Sequence, residues 1–297
     1  MTSAKKKEKF KTTLYAIVFL APFMTFYSLF MLYPILRGAY ISLFRFSLGM
    51  TPEFVGIANY VATLTDRHFW GSLWNTLFFV IISTPTLLLM AMAFALITNS
   101  KIPGRGFFRV VFFLPFTLAL SVITNIWVLL LQSHTGFLNV FTASIGIGDI
   151  PWLSNPNLAW ASVLMATLWW TVGFSMVLLL AGLQEIPQQL YEAAEIDGAG
   201  RVKSFFYITL PSMKNVLSMV CLLQIIASFR LFGQPFLMLG GGPGTATRTI
   251  VQYIYQTGFQ NRQMGMAGTQ SVLMLVVMIT VTVILNRITR ERKVDNA

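Results

Sequence analysis

Four of the ten acidic residues in this 297-residue chain, Glu185, Glu192, Glu195 and Asp197, fall within thirteen positions, although the formal charge of the whole is +11. A cluster of that kind has a task, and the remaining residues narrow what it is. His68 and His134 lie far apart, so no metal-ligand set is expected, and the single Cys221 sits inside an apolar run and excludes an internal disulfide. No Gly-Lys dipeptide occurs, which removes a phosphate-binding Walker A loop, and no apolar segment pairs a His with an acid for hydrolysis. Catalysis by this chain alone is therefore not expected. The acids read as a contact surface.

The elements around them fit that reading. Pro187 suits a first helical position, Gln188 to Asp197 are mostly good helix formers, and Gly198 suits the left-handed residue that ends a helix. Leu190, Ala193, Ala194 and Asp197 follow helical spacing and make one small, nearly flat face that another backbone can approach. Beyond Gly198 and Gly200, Val202, Phe205, Phe206 and Thr209 repeat at i, i+3, i+4 and i+7, and Pro211 is expected to close the segment. The stretch is thus predicted as two short helices around a glycine bend. Glu192, Ala193 and Ala194, then Gly198, then Ile208, Leu210 and Pro211 resemble the EAA signature of binding-protein-dependent ABC importer permeases. The resemblance implies a coupling helix that seats in a groove of a cytoplasmic ATPase subunit, with Glu192 pairing with a basic residue there and Asp197 among the docking residues. The plainer alternative is an acidic, solvated loop between helices, which leaves the Ala pair and Ile208-Thr209-Leu210-Pro211 without a reason.

Composition sets the surroundings. With 56% hydrophobic and 10% charged residues the chain has too much apolar surface for a soluble domain of its length, so it is read as an all-α integral membrane protein. Six crossings are expected, at Leu14–Leu36, Asn75–Thr98, Val110–Leu131, Leu158–Leu183, Val216–Leu239 and Gly268–Leu285. The first follows Lys5, Lys6, Lys7, Lys9 and Lys11 and is longer than the core of a cleavable signal, so it is read as retained. Arg37 to Trp70 is mixed polar and aromatic and is placed outside the membrane, and the stretch from Gln132 to Asn157 carries no Lys or Arg. Basic residues cap apolar segments rather than forming a patch, which argues for membrane topology and against nucleic acid. Putting the amino end, the turn of Lys101, Arg105 and Arg109, the acidic stretch and the carboxyl end with Arg287, Arg290, Arg292 and Lys293 on one side gathers fifteen basic residues there. Five (Arg37, Arg45, Arg67, Arg248 and Arg262) lie opposite. The bias places both termini and the acidic stretch in the cytoplasm. The division that follows is a basic cytoplasmic tail at 1–13, a first crossing and outer loop at 14–70, a core at 71–286 holding the loop 185–215, and a second basic tail at 287–297.

None of the six predicted crossings contains Asp or Glu, which argues against proton or sodium coupling. Arg230 is the one ionisable group expected inside a crossing; it binds solute, holds a gate, pairs with a second permease or snorkels to the outer interface. Gln234 is placed one turn further on the same face, Gln224 and Ser228 share another, and Gly233 and Pro235 are expected to disrupt the helix. The solute path is placed along this fifth crossing. Trp169 and Trp170 offer faces that could stack on a sugar ring, although packing is the commoner role of such side chains. Pro85 and Pro115 are expected to kink the second and third crossings.

The segments APF at Ala21, YPI at Tyr33, EFVGIANY at Glu53, GRGFFRVVFFLP at Gly104, LGGGPGT at Leu239 and YIYQTGF at Tyr253 extend the resemblance over nearly the whole chain. In that order they are similar to the sugar-permease branch that contains the first maltose and glycerol-3-phosphate permeases, without the inserted periplasmic domain of its larger members. The resemblance implies the six-helix type I ABC importer permease architecture in a bacterial or archaeal inner membrane. It implies a second permease subunit, a dimer of ABC ATPase subunits, an extracytoplasmic solute-binding protein and membrane lipid as partners. It implies no cofactor and no metal for this chain, and a sugar or related polyol as solute. The rival readings are a channel or secondary transporter independent of ATP and, behind it, a membrane enzyme; a peptide or inorganic anion is the rival solute.

Overall fold

The computed structural model describes residues 3–47, 49–100 and 103–289. The chain divides into two compact units, one of Met1–Asp66 with Ile254–Leu273 and the other of Arg67–Tyr253 with Met274–Ala297.

In the first unit α1 (Ser3–Tyr27) passes through a π turn, Ser28–Leu32, into α2 (Tyr33–Ile41). Pro34 has no N–H and its ring crowds the carbonyl four residues back, and the widened turn just upstream absorbs that conflict. Tyr15–Ile41 is one apolar span. The expected outer segment therefore begins after Ile41 rather than at Arg37, because only Gly38 interrupts helix formation between them. Arg37 lies over the Tyr40 ring at 5.4 Å. A two-residue ladder follows, β1 (Phe44–Arg45) against β2 (Glu53–Phe54), antiparallel, and then α3 (Ala58–Thr65). Asn59, buried on α3, donates to the carbonyls of Ser42 at 2.8 Å and Phe44 at 2.9 Å, so one amide fixes the chain where it leaves the first span. A Cβ on Gly268 would sit 2.9 Å from the Gly38 carbonyl oxygen, so the last helix meets α2 backbone to backbone there.

The second unit is built on α4 (Arg67–Asn99), α5 (Arg105–Phe113), α6 (Leu120–Leu131), α7 (Phe137–Ser144) and α8 (Pro156–Gln184). Its remainder is α9 (Gln188–Ile196), α10 (Arg201–Ser204), α11 (Leu210–Ser212), α12 (Lys214–Phe229), α13 (Gly233–Leu239), α14 (Ile250–Tyr255), which runs across the unit boundary, and the later turns of α15 (Met264–Thr289). The parallel pair α4 and α8 forms its spine, with Ala91, Met92, Val172, Met176 and Leu179 in the shared core and Met213 and Val220 closing it. α4 begins eight residues before the expected Asn75, since 67–74 contains no proline and Phe69 and Leu73 are buried.

Two expected crossings are broken. The third starts at Arg105, after Gly104 at φ +82°, and is not one kinked helix. Pro115 drives Leu114–Thr117 into a 3-10 turn, Leu118 and Ala119 are extended, and α6 leaves at 101°. The fifth separates into α12 and α13, and the segment before it, Arg201–Ser212, meets α12 at 67°. Among the described residues, four single helices and these two bent pairs give up to six apolar spans, in line with the expected six. Lys101, Arg290, Arg292 and Lys293 lie outside the described residues, as do the side chains of Lys5, Lys6, Lys7, Lys9 and Lys11.

Candidate functional site

The acidic stretch folds as α9, a glycine turn and a second helical segment. Pro187 is extended and stands one residue before the helix, with its carbonyl accepting from the Leu190 N–H at 3.2 Å. Gly198 adopts φ +75° and the helix closes by paired bonds, Gly198 N–H to the Glu195 carbonyl at 3.1 Å and Ala199 N–H to the Ala194 carbonyl at 2.8 Å. That geometry requires a residue at ease in the left-handed region, which explains the glycine. Leu190, Ala193 and Asp197 are exposed and Ala194 is half-buried, so the small face is available to a partner. Glu192 is exposed, and Gln188 Nε2 donates to its Oε1 at 2.8 Å. The Tyr191 and Thr209 hydroxyls meet at 2.9 Å and tie the two helical segments together.

Pro211 does not close the second segment. A π turn, Phe205–Thr209, ends two residues before it, as at Pro34, and the helix continues to Ser212. The widened turn also shifts the helical phase. Phe205 and Thr209 turn inward, whereas Val202 and Phe206, expected on the same packed face, are exposed. Ile208 is half-buried, while Leu210 and Pro211 are exposed and line an apolar recess with Lys214, Leu217 and Cys221. Between α9 and the second segment lies a cleft of about 830 Å³ bordered by Tyr191, Glu195, Arg201 and Phe206.

At the other expected site, the structure gathers five of the six residues. Trp170, Gln224, Ser228, Arg230 and Gln234 line one cavity of about 250 Å³ together with Phe79, Leu120, Thr167 and Thr171. Trp169 is not among them. It faces an apolar pocket of about 480 Å³ with Met90, Phe94, Phe112 and Trp127, whose ring it meets edge-on at 6.2 Å. The Trp170 indole Nε1 is buried without a hydrogen-bond acceptor.

Arg230 is not inside a helix. α12 ends at Phe229, and Arg230 is an exposed turn residue, so Gln234 cannot share a helical face with it. Pro235 explains where the break falls: its ring excludes the carbonyl of Leu231 from a continuous helix, and Pro235 itself sits in the first turn of α13, where no N–H is needed. Gly233 lets α13 start against α6, since a Cβ there would collide with the Leu120 side chain. Gln224 and Ser228 do share a face, with Gln224 Nε2 donating to Ser228 Oγ at 3.1 Å. Sequence reasoning missed Ser83, whose hydroxyl reaches Ser228 Oγ at 3.0 Å. The signal was available in Ser83-Thr84-Pro85, a polar step in the middle of an apolar run. The loop after α13 is held to α4, with Asn75 Nδ2 donating to the Thr245 and Arg248 carbonyls at 3.0 and 3.1 Å.

An exposed helix–glycine–helix stretch at one end of apolar spans, with a small cavity at a break in one of them, is the arrangement of a polytopic membrane protein. Residues 55–294 match the family of binding-protein-dependent transport system inner membrane components, and the chain belongs to that family. It is 35% identical to a sulfoquinovosyl glycerol transport system permease protein of Agrobacterium fabrum, over 94% of this chain and 91% of the relative. It is 32% identical to a trehalose/maltose transport system permease protein of Thermococcus litoralis, over 97% of both chains. Its fold matches a chain of a bacterial ABC transporter involved in import of the acidic polysaccharide alginate, with a TM-score of 0.82 at 22% identity, covering 97% of this chain and 99% of that one.

Proposed function

We propose that the chain is one permease subunit of an ATP-driven, binding-protein-dependent importer for a sugar or related polyol. The observation that carries this is the exposed α9 surface of Glu192, Ala193 and Ala194, ended by the left-handed Gly198. Transport of carbohydrates by the named relatives supports the solute class. Capture of a related importer with a sugar-bound periplasmic protein supports an extracytoplasmic binding protein as partner. A second permease and a pair of ATPase subunits complete the assembly, ATP hydrolysis belongs to the ATPases, and this chain holds no cofactor.

In this reading both termini and α9 are cytoplasmic. Glu192, Ala193, Ala194, Asp197, Gly198, Ile208, Leu210 and Pro211 form or shape the surface that an ATPase grips. Closure of the ATPase pair on ATP moves that surface, and the spans pass from inward-open to outward-open. The shift requires ATP and the loaded binding protein each to prefer the outward state, because a ligand moves an equilibrium only by its differential affinity. Solute passes the cavity of Trp170, Gln224, Ser228 and Gln234, with Arg230 at its mouth. Its polar groups satisfy hydroxyls in transit and need not bind them tightly.

The test is a mild-detergent pull-down of the tagged chain from its native membrane, with and without Glu192→Lys. Recovery of an ATPase and a second permease, with the ATPase lost from the variant, is expected. Recovery of the chain alone, still conducting sugar in vesicles, would establish a channel instead.

A further inference from the structure

Helix α7 lies between two membrane spans at the end of α8 opposite Glu192, and its polarity is inverted relative to a water-exposed helix. Asn139 is 1% exposed and faces inward, whereas Phe137, Val140, Phe141 and Ile145 are 54–68% exposed. No residue from Phe137 to Gly148 is charged. Such an apolar face calls for surroundings other than water.

Two observations identify those surroundings. The first is level. α8 has 29 residues and is about 43 Å long, against a hydrocarbon thickness of about 30 Å, so a centred α8 enters the hydrocarbon about 6 Å, or four residues, inside its end. Ser162, six residues into α8, donates to the Trp152 carbonyl at 2.9 Å, and Leu138 of α7 packs in one cluster with Leu131 and Ala166. The connection therefore lies alongside the first turns of α8, at the hydrocarbon boundary, and does not rise above the membrane.

The second is tethering. A Cβ on Gly136 would stand 2.5–2.6 Å from the backbone of Gln132 and Leu130, so the chain folds back within one turn of the end of α6. Asn139 then locks the far side, donating to the Gln132 and Ile150 carbonyls at 3.1 Å and accepting from Ile150 N–H at 3.0 Å and Trp152 Nε1 at 3.2 Å. α7 cannot swing outward without breaking that set. Near the end of α6, Leu129 is 64% exposed.

We propose that α7 is an interfacial helix whose Phe137, Val140, Phe141 and Ile145 face insert among the lipid acyl chains at the membrane boundary. A soluble binding protein would have to reach that face through the headgroups, and the absence of charge gives it no electrostatic hold. The anchoring role is independent of the transported solute.

The test uses the complete importer in phosphatidylcholine vesicles, with Cys221→Ser removing the native thiol and single nitroxide labels at Val140→Cys, Phe141→Cys and Ile145→Cys. Thr135→Cys serves as the solvent control. Collision with oxygen exceeding collision with a water-soluble nickel chelate at all three face positions, and the reverse at Thr135, is the expected result. Chelate-dominated collision on the face would overturn the proposal in favour of water or a binding protein. Exclusion of both agents would overturn it in favour of the second permease. Three positions keep the reading secure if one label perturbs folding, and a variant set that is active but split between the two patterns also counts against lipid.

Discussion

The Ser83 and Ser228 hydroxyls stand 3.0 Å apart and join α4 to α12, and Gln224 donates to the same Ser228 oxygen at 3.1 Å. All three side chains are buried. Ser228 is the centre of the set, because its one oxygen serves two partners with one proton and two lone pairs.

Ser228→Ala and Ser83→Ala should therefore differ. Removing Ser83 leaves Ser228 and Gln224 paired, and a loss of about 0.6 kcal/mol is expected, typical of a hydrogen bond between membrane helices. Removing Ser228 strands the Gln224 amide and should destabilise by about 1–3 kcal/mol. Thermal unfolding of the purified single and double variants measures both values, and a strictly additive pair would refute the coupling.

Gly173 is where α8 crosses α5 with no side chain between them. A Cβ there would sit on the Phe112 carbonyl oxygen and 2.8 Å from Phe113 Cα, both backbone and unable to move separately. At Gly182 a Cβ would meet the Val216 and Met213 side chains at 2.8–3.2 Å, which can rotate. Gly173→Val should abolish accumulation of folded protein, and Gly182→Ala should reduce the melting temperature by a few degrees, corresponding to about 1–2 kcal/mol. Size-exclusion profiles and melting curves of the two variants decide the matter.

Gly198→Asp separates folding from coupling. No atom beyond its chain neighbours lies within 4 Å of the added Cβ, so the penalty is the left-handed backbone alone, about 1–2 kcal/mol and confined to the end of α9. The expected variant is folded and inserted, with melting lowered by no more than a few degrees, but transports nothing and no longer retains an ATPase. Normal solute uptake by Gly198→Asp would remove the docking role from this turn.

The helical elements of the stretch 185–215 were readable from sequence because each signal there is local: Pro187, the Ala pair and Gly198 act within one or two turns. The breaks were not. Pro115 and Pro235 announce a disturbance, but whether a proline kinks a helix, widens it into a π turn as before Pro34 and Pro211, or ends it as at Phe229 depends on what packs alongside. Gly233 against Leu120 and Gly173 against Phe112 are long-range contacts with no period in the sequence. Asn139 was invisible for the same reason. It reads as an ordinary loop polar residue until Gln132, Ile150 and Trp152 converge on it.

Trp169 and Trp170 carry the last prediction, since neighbours on one helix point about 100° apart and here enter different cavities. Trp169 is 39% exposed and lines an apolar pocket with Met90, Phe94, Phe112 and Trp127. Trp169→Ala should cost less than a buried truncation, about 1–2 kcal/mol, with the apparent KM for uptake unchanged in the protein that survives. Trp170 shares its cavity with Gln224, Ser228 and Gln234, and its buried Nε1 lacks an acceptor that a sugar hydroxyl could supply. Trp170→Phe keeps the packing and removes that donor, so it should leave melting within a degree or two and raise the KM for uptake. Because binding-protein affinity sets the first capture step, uptake is to be measured at saturating loaded binding protein in vesicles, where only the passage is compared. A melting loss at Trp170→Phe with KM unchanged would place Trp170 in the core and remove it from the passage.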